Sequence, residues 1–514
     1  MDLLHNLYLG FSILLDNPLA IMYAIVGVLA GVIIGALPGL GPSMGIAVLL
    51  PLTYGMQPVT GIIMLAGVYY GAMYGGSISA VLINTPGDSA AVMTTLDGYP
   101  LAVQGQAGKA LGIAAYASVI GGTVCVVVFM LVAPIIANFA VAFGPAEYFS
   151  LMILGLTSIA GMTGKSPVKG FLSAFLGLFV ATIGLDLVTG GQRYTLGAIQ
   201  LFEGIDFIPV AMGLFGIAEI ITVKNASSDI NVDQSSIKIK NLFPNKQEWK
   251  YCAPHIFRGT ILGFIIGLLP GAGATIAAFL SYDLAKRTSK RSDLFGKGAI
   301  EGVAAPECAN NAASMGAMVP MFTLGIPGSG ATAVMMGALM MFGLTPGPAF
   351  FRNNADFAWG LIASMYVGNV CLLILGILGL PIFIKVLKVK APILNAVVMG
   401  FILIGSYSLN NSLFNVGLTI FFGALGYVMK KLEIPAAPMV LAIVLGAMTE
   451  KSLRQAMMLA DGNIGTMLGK PIVIVVLLLA LGLAFGTPII NAIKRARKSS
   501  SAKKADRQSD VARA

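Results

Sequence analysis

Charge is scarce in this chain. Only 11% of its 514 residues are Asp, Glu, Lys or Arg, against about 25% in ordinary soluble domains, and its mean hydropathy is +0.87. A water-facing surface cannot be built from so few charges, which excludes a soluble globular protein. Histidine is nearly missing. His5 and His255 are the only two, and no His-Glu-x-x-His pattern occurs, which argues against an intramembrane hydrolase. The four cysteines, Cys125, Cys252, Cys308 and Cys371, have no spacing suited to metal or redox chemistry, so packing is their expected role. With no Walker loop and no soluble nucleotide-binding domain, a primary pump in one chain is excluded. Sustained period-two alternation is absent, which removes a transmembrane barrel. The start, Met1 to His5, lacks a basic n-region, and no convincing cleavage site follows the first apolar stretch, so no removable signal peptide is expected.

Long apolar stretches take the place of charge. Crossing roughly 30 Å of hydrocarbon takes about 20 helical residues, and stretches of that order recur at 110–137, 147–163, 170–190, 206–223, 357–384, 392–429, 434–448 and 471–490. The expectation is an all-α polytopic membrane protein with about 11–12 transmembrane helices plus re-entrant or broken elements. A net charge of +10 does not imply nucleic acid here, because the basic residues sit in loops and in the tail from Lys494 to Arg513. Such clusters report topology, with contact to anionic lipid headgroups as a lesser role.

No Lys or Arg precedes Lys109, which places the N-terminus on the periplasmic side of a bacterial inner membrane. Residues 224–258 carry Lys224, Lys238, Lys240, Lys246, Lys250 and Arg258, and residues 286–297 carry Lys286, Arg287, Lys290, Arg291 and Lys297, so both loops belong inside. The segment Arg258 to Asp283 then returns to its own side. It is interrupted by Leu269-Pro270-Gly271-Ala272-Gly273, and each half of about twelve residues rises only about 18 Å, which favours a re-entrant hairpin over a kinked helix. Lys165 and Lys169, Lys385 to Lys390, Lys430 and Lys431, and the tail are all cytoplasmic if 392–429 holds two short spans meeting near Asn410-Asn411. The domains read as a first membrane repeat at 1–223, a basic linker at 224–257, a second membrane repeat at 258–491 and a disordered tail at 492–514.

The repeat is visible in two landmarks. Gly31-Val32-Ile33-Ile34-Gly35-Ala36-Leu37-Pro38-Gly39-Leu40-Gly41 returns 232 residues later as Gly263-Phe264-Ile265-Ile266-Gly267-Leu268-Leu269-Pro270-Gly271-Ala272-Gly273. Thr85-Pro86-Gly87-Asp88-Ser89 has a counterpart 241 residues later in Ile326-Pro327-Gly328-Ser329-Gly330. A single Pro-Gly match would mean little among 63 Gly and 25 Pro, but two matches in order point to duplication. One copy opens from a segment without basic residues and the other from a basic loop, so the copies are inverted. Inverted repeats with broken helices are a common build for secondary transporters, here expected to move in an elevator-like way.

Backbone freed by Pro and Gly cannot face lipid, so these breaks must line a cavity or be buried in protein. Helices that start at a break aim free N–H groups and about half a positive charge at the cavity, which suits a carboxylate. Neither motif pair contains Lys or Arg. The expected substrate-binding residues are Gly39, Gly41, Ser43, Asn84, Thr85, Pro86, Gly87, Ser89, Gly271, Gly273, Thr275, Pro327, Gly328, Ser329, Gly330 and Thr332; the alternative is that the small polar ones only cap the helices. Asp88 is the sole carboxylate in the breaks, either an ion-coupling group or a helix cap. Glu301, Glu307, Asn310 and Asn311 are further coupling candidates. No structural metal site or cofactor is expected beyond Na+ or H+ as coupling ion, with Na+ near the breaks.

The stretch Gly35 to Pro42, the run Tyr69-Tyr70-Gly71-Ala72-Met73-Tyr74-Gly75-Gly76-Ser77, the Asn84-Thr85-Pro86-Gly87 break, Asp97-Gly98-Tyr99-Pro100, Pro306-Glu307 through Asn310-Asn311 and Gly325 to Ser329 together resemble the large membrane subunit of the bacterial tripartite tricarboxylate transporters. The resemblance covers nearly the full length. It implies an ion-driven importer, not an enzyme, fed by a periplasmic substrate-binding protein and accompanied by a small membrane subunit. The substrates it implies are citrate-like di- and tricarboxylates, or in some relatives aromatic carboxylates. An anion channel would use the same donor-rich breaks and differs in needing no gradient coupling.

Overall fold

The computed structural model describes residues 3–139, 143–157, 166–186, 190–222, 237, 239–269, 271, 273–409 and 411–482. The tail 492–514, much of the linker 224–257, and Pro270, Ala272 and Asn410 lie outside the described residues. The first half contains α1 (Leu3–Asp16), α2 (Pro18–Ala36), α3 (Pro42–Leu49), α4 (Pro58–Ile83), α5 (Val92–Leu101), α6 (Ala107–Phe139), α7 (Pro145–Thr157), α8 (Pro167–Ala181), α9 (Phe207–Ala211) and α10 (Ala218–Thr222). The second contains α11 (Lys246–Leu268), α12 (Gly273–Thr288), α13 (Ile300–Leu324), α14 (Gly330–Met341), α15 (Phe350–Asn353), α16 (Ala355–Leu378), α17 (Leu380–Leu387), α18 (Ala391–Ser408), α19 (Leu413–Lys431), α20 (Ala437–Leu459) and α21 (Ile464–Leu468). Among the described residues, the strands are limited to a two-residue antiparallel pair, β1 (Gly184–Leu185) with β2 (Gln192–Arg193).

Among the described residues, six helices are long and apolar enough to cross a bilayer alone, or seven if the bent pair α17 and α18 counts as one span. The expected 11–12 crossings are therefore not met by length and composition. Breaks at Pro and Gly leave α3, α12 and α14 at 8, 16 and 12 residues, shorter than a bilayer needs.

The expected hairpin needs a correction at its first limb. α11 starts at Lys246, well before Arg258, and its 23 residues rise about 35 Å, enough to cross. Asn245 sets that start through a capping box: its side chain accepts the N–H groups of Gln247 and Glu248 at 3.0 and 2.9 Å, and the Glu248 carboxylate accepts the Asn245 N–H at 2.7 Å. After the break α12 packs along α11, as a hairpin does and a merely kinked helix does not. Residues 392–429 do form two helices, α18 and α19.

Two helices form the centre. α4 is buried from Thr60 to Leu82 and α13 from Ile300 to Thr323. Both are rich in Gly, Ala, Ser and Met all round, and a helix without a polar face belongs inside. α2 lies on α4 through Gly27, Gly31 and Gly35, where an added Cβ would fall 2.2, 2.5 and 2.2 Å from the carbonyl oxygens of Met64, Val68 and Ala72. α11 lies on α13 through Gly259, Gly263 and Gly267, against the carbonyl oxygens of Ala305, Ala309 and Ala313 at 2.9, 2.4 and 2.4 Å. Only glycine permits such backbone approach, the usual device for packing helices in lipid. The offsets of these two ladders are again 232 residues on the outer helix and 241 on the inner one.

Candidate substrate-binding site

The backbone turns alike at the breaks. α2 ends in Leu37, extended at φ −87° and ψ 123°, and α11 in Leu269 at φ −84° and ψ 115°. Gly39 and Gly271 follow at φ +83° and +82°, a region where glycine costs nothing. α4 ends on Asn84 at φ +53° and α13 on Gly325 at φ +70°. Each outer break is then hydrogen-bonded to the neighbouring inner one. The Gly39 N–H donates to the Gly87 carbonyl, and the Gly271 N–H to the Gly328 carbonyl, both at 3.1 Å.

All four breaks open onto one cavity of about 450 Å³, within the range of roughly 300–1,000 Å³ typical of small-molecule pockets. Of the residues expected from sequence, Gly39, Gly41, Ser43, Pro86, Gly87, Asp88, Ser89, Gly273, Thr275, Ser329 and Gly330 line it. The starts of α3, α5, α12 and α14 all lie on its wall. Their partial positive charges therefore converge where no Lys or Arg lines the wall. Across the cavity Ser89 and Thr275 hydroxyls lie 2.6 Å apart, and Tyr69 and Ser329 hydroxyls 3.0 Å apart, so both pairs join the two halves.

Asn84, Thr85, Gly271, Pro327, Gly328 and Thr332 do not line the cavity. Asn84 terminates α4 and is exposed, the Thr85 hydroxyl bonds the Ile83 carbonyl at 3.2 Å, and Thr332 completes a capping box with Ser329. Asp88 holds the turn ahead of α5, its Oδ1 accepting the Ala91 N–H at 3.0 Å, but it is not the helix cap: that position is Ala91, with no side-chain hydrogen bond. Asp88 also faces the cavity. Glu301, Glu307, Asn310 and Asn311 are fully buried in α13 and away from the cavity wall.

Residues missed from sequence complete the wall: Met44, Tyr69, Met73, Phe215 and Glu219. Tyr69 had a signal in the Tyr69-Tyr70 run, and Phe215 sits in a π-helical turn, Met212–Ile217, a feature frequent at functional sites. Glu219 is neutralised by Lys430 at 2.6 Å, whereas among the described residues no cationic side chain lies within ion-pair distance of Asp88. A further contact joins the halves behind the cavity. The fully buried Asp97 accepts the N–H groups of Gly296, Gly298 and Ala299 on Oδ1 at 2.8, 2.9 and 2.8 Å, and the Tyr282 hydroxyl on Oδ2 at 2.8 Å.

No solved structure matches the chain. A 52.8 kDa protein from the region 3′ of ttuC′ in TAR-I of Agrobacterium vitis is 42% identical over 484 residues, covering 94% of this chain and 95% of the relative. A second protein, from the corresponding TAR-II region of the same organism, is 41% identical over 221 residues, covering 43% of this chain and 90% of the relative. Residues 21–441 match the tripartite tricarboxylate transporter TctA family. The chain therefore belongs to that family, which is one of transporters and not of enzymes, and whose tripartite build implies partner subunits.

Proposed function

We propose that this chain is the permease subunit of a binding-protein-dependent secondary carrier of the bacterial inner membrane, importing a di- or tricarboxylate by cation symport. The observation that carries this reading is the convergence of four helix starts on one cavity without Lys or Arg. Fixed N–H dipoles bind a carboxylate firmly enough to select it, yet leave no full positive charge to trap it. Asp88 supplies the reason for symport. An anionic substrate and an uncompensated carboxylate in the same cavity repel each other, and a cation bound with the substrate removes that cost.

The matched turns and glycine ladders support two repeats of opposite orientation, with the N-terminus periplasmic and the C-terminus cytoplasmic by the distribution of Lys and Arg. Alternating access then follows from one body carrying the four breaks past a scaffold that includes α6 and α16, in an elevator-like movement. The three-part system is completed by a periplasmic binding protein and a small membrane subunit.

A second reading, an aromatic carboxylate, is favoured by Tyr69, Phe215, Met44 and Met73 on the wall, which suit a flat apolar body better than citrate's hydroxyl and third carboxylate. Uptake of labelled carboxylates decides between them. Cells lacking their own carriers express this chain with its small subunit and binding protein, with and without a sodium or proton gradient. Citrate uptake that needs all three proteins and a gradient is the expected result. Uptake without any gradient would overturn symport, and uptake of aromatic acids alone would select the second reading.

A further inference from the structure

Glu307 is a buried carboxylate without a compensating charge. Its side chain is completely shielded from solvent, and among the described residues no Lys, Arg or His pairs with it. A lone carboxylate in such surroundings costs far more than a hydrogen bond or two return. Its oxygens meet only neutral partners. The Thr94 hydroxyl bonds Oε1, and Asn310 Nδ2 and the Ser118 hydroxyl reach Oε2 at 3.3 and 3.4 Å. Asn311 donates to Asn310 Oδ1 at 2.9 Å, while its own Oδ1 is buried with no hydrogen-bond partner among the described residues. Among the described residues, the ionisable groups close enough to feel the Glu307 charge are Tyr74 on α4, Cys308 on α13 and Asp88 ahead of α5. None is a cation.

We propose that Glu307, with the side-chain oxygens of Thr94, Ser118, Asn310 and Asn311, holds one monovalent cation, a proton or a sodium ion. The inference rests on reading the chain as a cation-coupled carrier and assigns the coupling ion a place outside the substrate cavity. A single negative charge calls for a single positive one; a divalent ion would leave the pocket as unbalanced as no ion. The Glu307 carboxylate, the Asn311 amide oxygen that has no partner among the described residues and hydroxyls free to turn their lone pairs inward offer sodium oxygen ligands, and a proton on the carboxyl satisfies the same charge balance. The link to the cavity is one turn of helix. The Thr94 N–H donates to the Ala91 carbonyl at 3.1 Å, and the Ala91 N–H donates to Asp88 Oδ1 at 3.0 Å. An ion at Glu307 therefore acts on the same turn that sets the Asp88 carboxylate on the cavity wall.

The test uses the purified full-length chain without substrate, so it does not depend on transport. Radiolabelled sodium binding and the infrared band of a protonated carboxyl are measured for wild type and Glu307→Gln. Sodium binding that weakens at least tenfold in Glu307→Gln identifies a sodium site. A protonated-carboxyl band present in wild type and missing in Glu307→Gln identifies a proton site. Both signals unchanged by the substitution, or both absent from wild type, overturn the proposal while leaving the uptake assay to judge the carrier reading. Should Glu307→Gln fail to yield monodisperse protein, Thr94→Val keeps the carboxyl and removes one oxygen. It is expected to weaken sodium binding several-fold or to move the pH midpoint of the carboxyl band, and observing neither of these changes would overturn the site.

Discussion

The two halves of the molecule turn their backbones alike and decorate them differently. Leu37 and Leu269, Gly39 and Gly271, and Asn84 and Gly325 take matching dihedral angles. In the turn that follows, Asp88 accepts the Ala91 N–H ahead of α5 in the first half, and Ser329, 241 residues later, caps α14 through the Thr332 N–H at 3.3 Å. One acceptor is charged and the other neutral. On the central helices the balance reverses: Ala66, Tyr69 and Tyr70 of α4 stand where α13 has Glu307, Asn310 and Asn311. The lesson is that the shape asks only for glycine, proline and a capping oxygen, leaving the charge at each position free to serve chemistry.

The comparison breaks most completely where the halves are tied together. Asp97→Ala strands the buried Ala299 N–H and the Tyr282 hydroxyl, each costing about 1–3 kcal/mol, and takes the acceptor from the Gly296 and Gly298 N–H groups, so no monodisperse protein is expected on size exclusion; Asp97→Asn, which keeps one acceptor, should be recoverable. Next come two glycines at matched positions. An added Cβ at Gly87 would sit 1.8 Å from the Gly35 carbonyl oxygen, whereas at Gly328 the nearest atom is the Ala317 Cβ at 2.9 Å. Gly87→Ala should therefore exceed the roughly 1–3 kcal/mol typical of overpacking and Gly328→Ala fall within it, read as thermal unfolding midpoints.

The two acceptors sharpen the contrast further. Asp88→Asn keeps an oxygen for the Ala91 N–H, so stability should move by less than about 0.5 kcal/mol. The cation concentration for half-maximal uptake should nevertheless rise by about tenfold, ~1.4 kcal/mol. Ser329→Ala should do the reverse, losing about 1 kcal/mol of stability with cation dependence unchanged. The smallest effect belongs to Asn84→Gly, within about 0.5 kcal/mol of wild type and without change in substrate affinity, because glycine accepts a positive φ and Gly325 already fills the matched position.

Much of the site was legible because a break is a local event. Proline lacks an N–H and glycine tolerates left-handed backbone wherever they fall, so the four interruptions and their lack of Lys and Arg could be read directly. The start of α11 was misread because hydropathy marks where apolar residues begin, whereas Asn245 and Glu248 extend the helix through polar ones. Asn84 and Thr85 were expected in the cavity from their place in a break, but a residue ending one helix points elsewhere than one starting the next. Phe215 and Tyr69 carried only faint signals, since their role arises from neighbours more than a hundred residues away.

Composition and local backbone chemistry by themselves determined a helical membrane protein with four interrupted helices, since both follow from what each residue does to water and to its own peptide bonds. Which interruptions meet was decided only by tertiary packing. The glycine ladders bring α2 onto α4 and α11 onto α13, and those approaches gather four helix starts around one cavity and seal Glu307 behind it.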